Sequence, residues 1–168
     1  MNSNKVMNLA ADNIRILAAS MVEKAKSGHP GGAMGGADFI NVLYSEYLQY
    51  DPANPKWEGR DRFFLDPGHM APMLYSQLAL AGKFSLEELA QLRQWESPTP
   101  GHPEVGHTPG VDATSGPLGQ GIATAVGVAL AETHLHAKFD DYIDHYTYAL
   151  CGDGCLQEGV SQEAISLA

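Results

Sequence analysis

The stretch 146–159, YTYALCGDGCLQEG, constrains the fold more than any other part of the sequence. A short apolar run ending at Leu150 leads into Gly152-Asp153-Gly154, and a helical pattern follows from Leu156. This order predicts a strand, a tight glycine turn and the start of a helix. In an open α/β sheet, ligands collect at the carboxyl ends of strands and anions bind at helix N-termini. The stretch is therefore the first place to look for a binding site.

The Gly152-Asp153-Gly154 turn has the composition of a metal-diphosphate site. Glycine allows a close approach of the backbone, and a carboxylate suits a hard cation such as Mg²⁺ that bridges phosphate oxygens. Taken alone, the same three residues more often form a plain turn. Two familiar phosphate motifs are excluded, because no Gly-Lys-Ser/Thr is present and Gly154 is next followed by Gly159, too late for a dinucleotide fingerprint.

The rest of the chain alternates helical patterns with one further strand and one long irregular segment. Apolar spacing of three and four residues predicts helices at 8–26, 37–50 and 122–138, and Ser85 with Glu88 forms a capping box that opens a helix through about 95. Segment 62–65 is a buried-strand candidate, and 97–116 is rich in Gly and Pro without periodicity. These elements predict an α/β fold, namely part of a doubly wound, mainly parallel sheet with long helices.

The charge balance excludes some partners. The sequence has ten Lys and Arg and twenty Asp and Glu, so its formal net charge is −10. This negative charge argues against nucleic acid or an anionic membrane as the main partner. No apolar run approaches the roughly 18 residues of a membrane span, and the N-terminus lacks a signal pattern. Cys151 and Cys155 are expected to be free thiols of a cytoplasmic protein.

Three histidines are candidates for chemistry because each adjoins Gly or Pro at the tip of a turn: His29, His69 and His102. Histidines on loop tips of a rigid scaffold are good functional candidates, although each taken alone is more often a local turn or surface residue. Together with His107 they lack the paired spacing of zinc ligands, and no Gly-x-Ser-x-Gly elbow is present. The other three histidines, His134, His136 and His145, are predicted to be exposed surface residues.

Five segments, in order along the whole chain, resemble the N-terminal portion of transketolases. They are Ser27-Gly28-His29-Pro30-Gly31, Asp61-Arg62-Phe63 with Gly68-His69, Gly101-His102-Pro103-Glu104, Thr114-Ser115-Gly116-Pro117-Leu118-Gly119-Gln120-Gly121, and Gly152-Asp153-Gly154-Cys155-Leu156-Gln157-Glu158-Gly159.

The resemblance implies an enzyme that uses thiamin diphosphate and Mg²⁺ (or Ca²⁺) to move a two-carbon ketol unit from a ketose phosphate to an aldose phosphate in the pentose phosphate pathway. By the same resemblance, Asp153 is a metal ligand, and Gly154, Glu158 and His69 are cofactor-binding residues. Gly116, Pro117 and Leu118 line the cofactor. His29, His69 and His102 are expected to be catalytic, with His29 and His102 facing oxygens of the donor sugar.

The chain also departs from the transketolase pattern. Asp66-Pro67 precedes Gly68-His69 where smaller residues are more usual, and no Asn follows Asp153 to complete the metal site. We therefore expect residues 1–168 to be the N-terminal portion of the diphosphate-binding domain, an incomplete fragment that is inactive in isolation. The resemblance implies that its partner is a second copy, in a homodimer, or a complementary C-terminal portion.

Four alternatives remain open from the sequence. The chain is also compatible with the N-terminal subunit of a split transketolase, with a non-catalytic assembly or binding fragment, with dihydroxyacetone synthase, and less well with 1-deoxyxylulose-5-phosphate synthase.

Overall fold

The chain forms two compact units, each built from two separate stretches of sequence. The computed structural model describes residues 3–168. The first unit contains residues 3–48 and 69–110, and the second contains 49–68 and 111–168. That residues 1–168 form one portion of a larger domain stays a prediction.

The first unit is helical and is organised around α1 (Asn4–Ala25) and α4 (Ala71–Leu80). The Ser3 hydroxyl caps α1 by accepting from the Val6 N–H, and left-handed Lys26 ends the helix. The buried face of α1 has the three- and four-residue spacing of a helix stripe, with Ala11, Ile14, Ala18 and Met21. The helix predicted at 8–26 is confirmed and begins four residues earlier.

The remaining helices of the first unit are shorter than the sequence predicts. The segment 37–50 is α-helical only over α3 (Ala37–Val42) and continues as a π-helical turn at Leu43–Tyr47. Upstream of it lies the short helix α2 (Pro30–Gly35), which begins at Pro30 because proline is well suited to a first helical turn.

The capping box at Ser85 and Glu88 is present, but the helix it opens is not the predicted one. α5 covers only Leu86–Leu89. Beyond it, Arg93 and Glu96 adopt positive φ angles of 63° and 58°, and the Arg93 N–H donates to the Thr99 carbonyl. The prediction that this helix extends to residue 95 is therefore wrong. The chain turns back at Arg93, and the bond from Arg93 to Thr99 replaces a helical hydrogen bond.

The second unit contains a parallel sheet of two strands within the described residues, β1 (Arg62–Leu65) and β2 (Thr147–Leu150). Arg62 lies opposite Thr147, and Leu65 opposite Leu150. α6 (Gln120–Phe139) connects them and packs on both, as parallel pairing requires a crossover. Both predicted strands, the helix predicted at 122–138 and the α/β class are confirmed.

The other elements of the second unit are short 3₁₀ turns and two helices near the end of the chain. One turn covers Asp140–Tyr142, and another, Gly68–Met70, begins at the last residue of the stretch 49–68. The helices are α7 (Asp153–Leu156) and α8 (Gly159–Leu167). Within residues 3–168, no helix has both the length and the apolar character needed to cross a bilayer.

A buried carboxylate sets where the two strands begin. Asp61 is 3% exposed, and its two oxygens accept hydrogen bonds from the Gln49 N–H and the Tyr146 N–H, both at 2.8 Å. A buried carboxylate keeps its charge at low cost when backbone amides surround it. Asp61 thereby aligns the starts of β1 and β2 and, through them, their carboxyl ends.

Candidate functional site

The segment after β2 differs in detail from the predicted strand, turn and helix. Gly152 follows the strand, but Asp153 is already the first residue of α7, and the longer helix α8 begins at Gly159 rather than at Leu156. Instead of a free turn, the Gly-Asp-Gly sequence forms a compact helical turn, in which the Gly152 N–H donates to the Cys155 sulfur at 3.2 Å.

Asp153 is exposed at the start of this turn. No hydrogen bond or ion pair within residues 3–168 engages its carboxylate. A β-carbon added to Gly152 would meet only the Cys155 sulfur at 4.0 Å, so its surroundings are open. An open glycine beside an unpaired carboxylate leaves room for a cation and an anionic group.

Three segments of the second unit come together beside Asp153. A β-carbon on Gly154 would lie 3.2 Å from Leu118 Cδ1, and one on Gly119 would lie 2.9 Å from Glu158 Cβ. One on Gly68 would lie 3.0 Å from the Gly116 nitrogen. We call the residues Gly68, 116–119 and 152–158 the glycine cluster. The structure thus brings five predicted cofactor-binding residues close to Asp153, the predicted metal ligand: Gly116, Pro117, Leu118, Gly154 and Glu158.

Asp66 organises this cluster, and the sequence reasoning missed its role. Its side chain is fully buried. One oxygen accepts from the Gly119 N–H at 2.8 Å and the other from the Ile122 N–H at 2.9 Å. Asp66 therefore caps the N-terminus of α6 across 53 residues of sequence. No local signal could identify it, because the helix that it caps is distant in the chain.

The two cysteines are free, as predicted. Cys151 is exposed, whereas Cys155 is 1% exposed. Burial and the hydrogen bond from its thiol to Asp66 raise the pKa of Cys155 to about 11, which makes it a poor nucleophile.

The first unit contains the second group of candidates, which we call the histidine cluster: His29, His69 and His102. The rings of His29 and His69 lie 4.9 Å apart between centroids. Burial lowers the pKa of His69, and the positive charges that His29 and His102 would carry lower it further. Because each added proton disfavours the next, His69 is neutral at pH 7 and can accept a proton or a hydrogen bond.

Neighbouring charges of both signs act on the pKa of His102. Burial lowers its pKa first, Arg93 and His29 lower it further, and Glu104 raises it. Arg93 is itself fixed, since its guanidinium donates to the Ser27 hydroxyl at 2.8 Å.

The pKa of His102 should respond in opposite directions to two substitutions. Arg93→Gln removes a neighbouring positive charge and should raise the pKa, whereas Glu104→Gln removes a negative charge and should lower it. Titration of the histidine ring protons by NMR measures both. Arg15→Gln, which breaks only the ion pairs with Asp12 and Asp38, is the matched control. Shifts of equal sign in the first two variants would contradict this account of the field.

His107, which the sequence left without a role, is a loop contact. Its Nε2 lies 2.7 Å from the Ser97 carbonyl oxygen, so the ring ties together the two ends of a turn in the irregular segment. This bond fits a structural residue.

The glycine cluster has the features of a site for a phosphate group and a cation. The Ser115 hydroxyl, 5% exposed, has no hydrogen-bond partner within the described residues. The Ser115 hydroxyl oxygen adjoins the glycine cluster, since it would lie 2.9 Å from a β-carbon on Gly68. A buried hydroxyl without a partner is costly unless a ligand satisfies it. With the open Gly152 and the unpaired Asp153 carboxylate, the residues fit a bound metal-diphosphate group.

Comparisons with known proteins agree on one family. The family described as "Transketolase, thiamine diphosphate binding domain" matches residues 6–168. A transketolase of Halalkalibacterium halodurans is 57% identical over 99% of this chain and 26% of its own length. The chain thus spans about a quarter of the curated relatives that it matches.

Solved structures give the same result. A transketolase from Leishmania mexicana aligns with a TM-score of 0.94 and 50% identity over 100% of this chain and 25% of its own. A Pichia stipitis transketolase in complex with sedoheptulose 7-phosphate aligns with a TM-score of 0.93 and 46% identity over 97% of this chain and 25% of its own. By its sequence and its fold, the chain belongs to the transketolase family and corresponds to the N-terminal, thiamin diphosphate-binding part of that family's longer chains.

Proposed function

We propose that this chain supplies the diphosphate-binding part of a transketolase that transfers a two-carbon ketol unit from a ketose phosphate to an aldose phosphate. The observation that carries the proposal is the unpaired carboxylate of Asp153, exposed at the glycine turn where Gly154 meets Leu118. Family membership makes thiamin diphosphate the group to expect there, since the matching family is named for binding it.

In this proposal the glycine cluster holds the metal-diphosphate end of the cofactor. Asp153 ligates Mg²⁺, a hard cation that prefers carboxylate and phosphate oxygens. Gly154 and the segment 116–118 lie against the diphosphate, and the absence of a side chain at Gly154 and Gly116 lets the diphosphate approach the backbone closely. Glu158 supports the segment from behind, because its Cβ would lie only 2.9 Å from a β-carbon on Gly119. His69 belongs to the cofactor-binding set as well as to the catalytic one.

When bound, thiamin diphosphate supplies the nucleophilic carbon and the electron sink for breaking and forming a carbon–carbon bond. The chain's own residues position the sugar and move protons. His29 and His102 hydrogen-bond to the donor's hydroxyl and carbonyl oxygens. With its pKa lowered, His102 can take a proton from a hydroxyl near neutral pH and return it later.

The substrates, assembly and location of the complete enzyme are part of the same proposal. The Pichia stipitis relative was solved with sedoheptulose 7-phosphate, which supports sugar phosphates as the substrate class here. We propose that the enzyme acts in the cytoplasm in the pentose phosphate pathway, as a homodimer or with a complementary C-terminal portion.

A chimera tests the proposal, because the chain spans only a quarter of its relatives. Residues 1–168 replace the matching part of the Halalkalibacterium halodurans transketolase, and ketol transfer between sugar phosphates is measured beside the unaltered relative. We expect transfer in the chimera. His102→Ala in the chimera should reduce kcat while the affinity for thiamin diphosphate stays near normal.

Two results would overturn this assignment. A folded chimera without transfer, beside an active relative, would mean that residues 1–168 do not supply the function. A large loss of cofactor affinity in His102→Ala would place His102 at the cofactor instead of the sugar.

A further inference from the structure

A cleft of about 590 Å³ lies in the second unit, outside the glycine cluster. Its residues come from the segments 49–59 and 142–144, which precede β1 and β2. Because the strands are parallel, both segments lie at the amino ends of the strands, whereas the glycine turn follows the carboxyl end of β2. The cleft is therefore separate from the proposed cofactor site, and its volume is within the roughly 300–1,000 Å³ of small-molecule sites.

Two aromatic side chains line this cleft, Trp57 and Tyr142. They are 42% and 72% exposed, respectively, so much of their ring surface is open. The indole of Trp57 lies against Gly59, because a β-carbon on that glycine would be 3.2 Å from Cε2, Cζ2 and Nε1 of the ring. The backbone thus supports the indole and leaves the rest of its surface to the cleft. A supported and exposed indole offers a ring on which a ligand can stack.

Hydrogen bonds fix the two walls of the cleft relative to each other. The Tyr142 hydroxyl donates to Glu58 Oε2 at 3.2 Å and joins one wall to the other. Next to Tyr142 in the chain, the Ile143 carbonyl oxygen lies 3.0 Å from His136 Nδ1, which ties this wall to α6. The prediction that His136 is exposed is wrong, since its side chain is half-buried. The cleft is thus formed by the chain's own contacts.

The polar side chains of the cleft include both acceptors and donors of hydrogen bonds. Glu58 and Asp144 are carboxylates, whereas Lys56 carries an ammonium group and Asn54 carries an amide. The side chains of Lys56 and Asp144 make no hydrogen bond or ion pair with other parts of residues 3–168. Both charged groups are therefore available to a ligand.

These groups select a ligand by its charge and its shape. A hydroxyl group both donates and accepts, so a ring with several hydroxyls can use the carboxylates and the ammonium group at the same time. The C–H face of such a ring can pack on an indole. Two carboxylates beside one lysine disfavour an anion such as a sugar phosphate, and Lys56 disfavours an organic cation.

We propose that this cleft binds an unphosphorylated sugar, with one face of the sugar ring on Trp57 and its hydroxyls on Lys56 and the two carboxylates. None of these residues belongs to the glycine cluster or to the histidine cluster. The proposal therefore does not depend on the proposed transketolase function.

Saturation-transfer difference NMR on the 168-residue chain tests the site, with the methyl glycosides of glucose, galactose and mannose as probes. We expect saturable binding of at least one probe, and at least about tenfold weaker binding in Trp57→Ala, which removes the stacking surface. Trp95→Ala is the matched control, because Trp95 is an exposed tryptophan of the first unit. Its affinity should equal that of the unaltered chain. The 6-phosphate of the bound sugar should compete less well than the sugar itself.

Gly59→Ala is a second variant, which keeps the test valid if Trp57→Ala does not fold. Its β-carbon would lie 3.2 Å from the indole, so the ring has to shift and the affinity should fall severalfold. The absence of saturable binding for all three glycosides would overturn the proposal. So would an affinity in folded Trp57→Ala equal to that of the unaltered chain, or stronger binding of the phosphorylated sugar.

Discussion

Replacing Gly121 with alanine should lower the free energy of unfolding of this chain by about 1–3 kcal/mol, the typical range for overpacking a tight interior. A β-carbon at Gly121 would lie 2.6 Å from the Asp66 Cα, a contact with backbone that no side-chain rotation relieves. To accommodate it, α6 must move away from Asp66, which stretches the hydrogen bonds from the Gly119 and Ile122 amides to that carboxylate. The loss exceeds the gain of up to about 1 kcal/mol in helix propensity.

Gly127 is the matched control for this prediction. It lies on the same helix, and a β-carbon added there would meet nothing within 4 Å. Gly127→Ala should therefore stabilise the chain by up to about 1 kcal/mol through helix propensity alone. Urea denaturation of the two variants measures both signs. Stabilisation by Gly121→Ala would show that the α6 N-terminus tolerates displacement from Asp66.

Asp153→Asn should weaken Mg²⁺-dependent binding of thiamin diphosphate to the chimera by at least about 100-fold, or about 2.7 kcal/mol. The change is isosteric and removes only the negative charge that would face the cation. Because the Asp153 side chain is exposed and makes no hydrogen bond or ion pair among residues 3–168, the fold should keep its stability to within about 1 kcal/mol. Titration calorimetry with and without Mg²⁺ measures the affinity.

Glu163→Gln controls for the change in net charge. Glu163 is an exposed acid on α8, outside the glycine cluster, so cofactor affinity should not change. Normal Mg²⁺-dependent binding in Asp153→Asn would remove Asp153 from the metal site. An equal loss in both variants would mean that overall charge, not coordination, controls binding.

Patterns that are local in sequence predicted the local structure well. The strand at Arg62–Leu65 has the predicted bounds, and α6 differs by one or two residues at each end. In both, the decisive forces act between near neighbours: apolar periodicity, β-propensity and turn glycines. The helix predicted at 85–95 ends at Leu89, because Arg93 finds its partner at Thr99 and tertiary contacts replace the helix that propensity alone favours.

The sequence likewise predicted one part of the candidate site and not another. Its residue types were readable from five short motifs, and the glycine cluster gathers Gly154, Leu118 and Glu158 as the resemblance implies. The roles of these residues in binding and catalysis remain proposals. The role of Asp66 was not readable, because the Gly119 and Ile122 amides that it accepts from are distant in sequence.

The sequence by itself determined the α/β class, the family and the set of chemically capable residues, because these depend on patterns a few residues long. Tertiary structure decided which of these residues meet. Asp66 became the cap of a helix that starts 54 residues later, and Asp61 became the tie between the starts of two strands. A buried carboxylate accepts any amide that folding brings within reach, and only the folded chain specifies which amides those are.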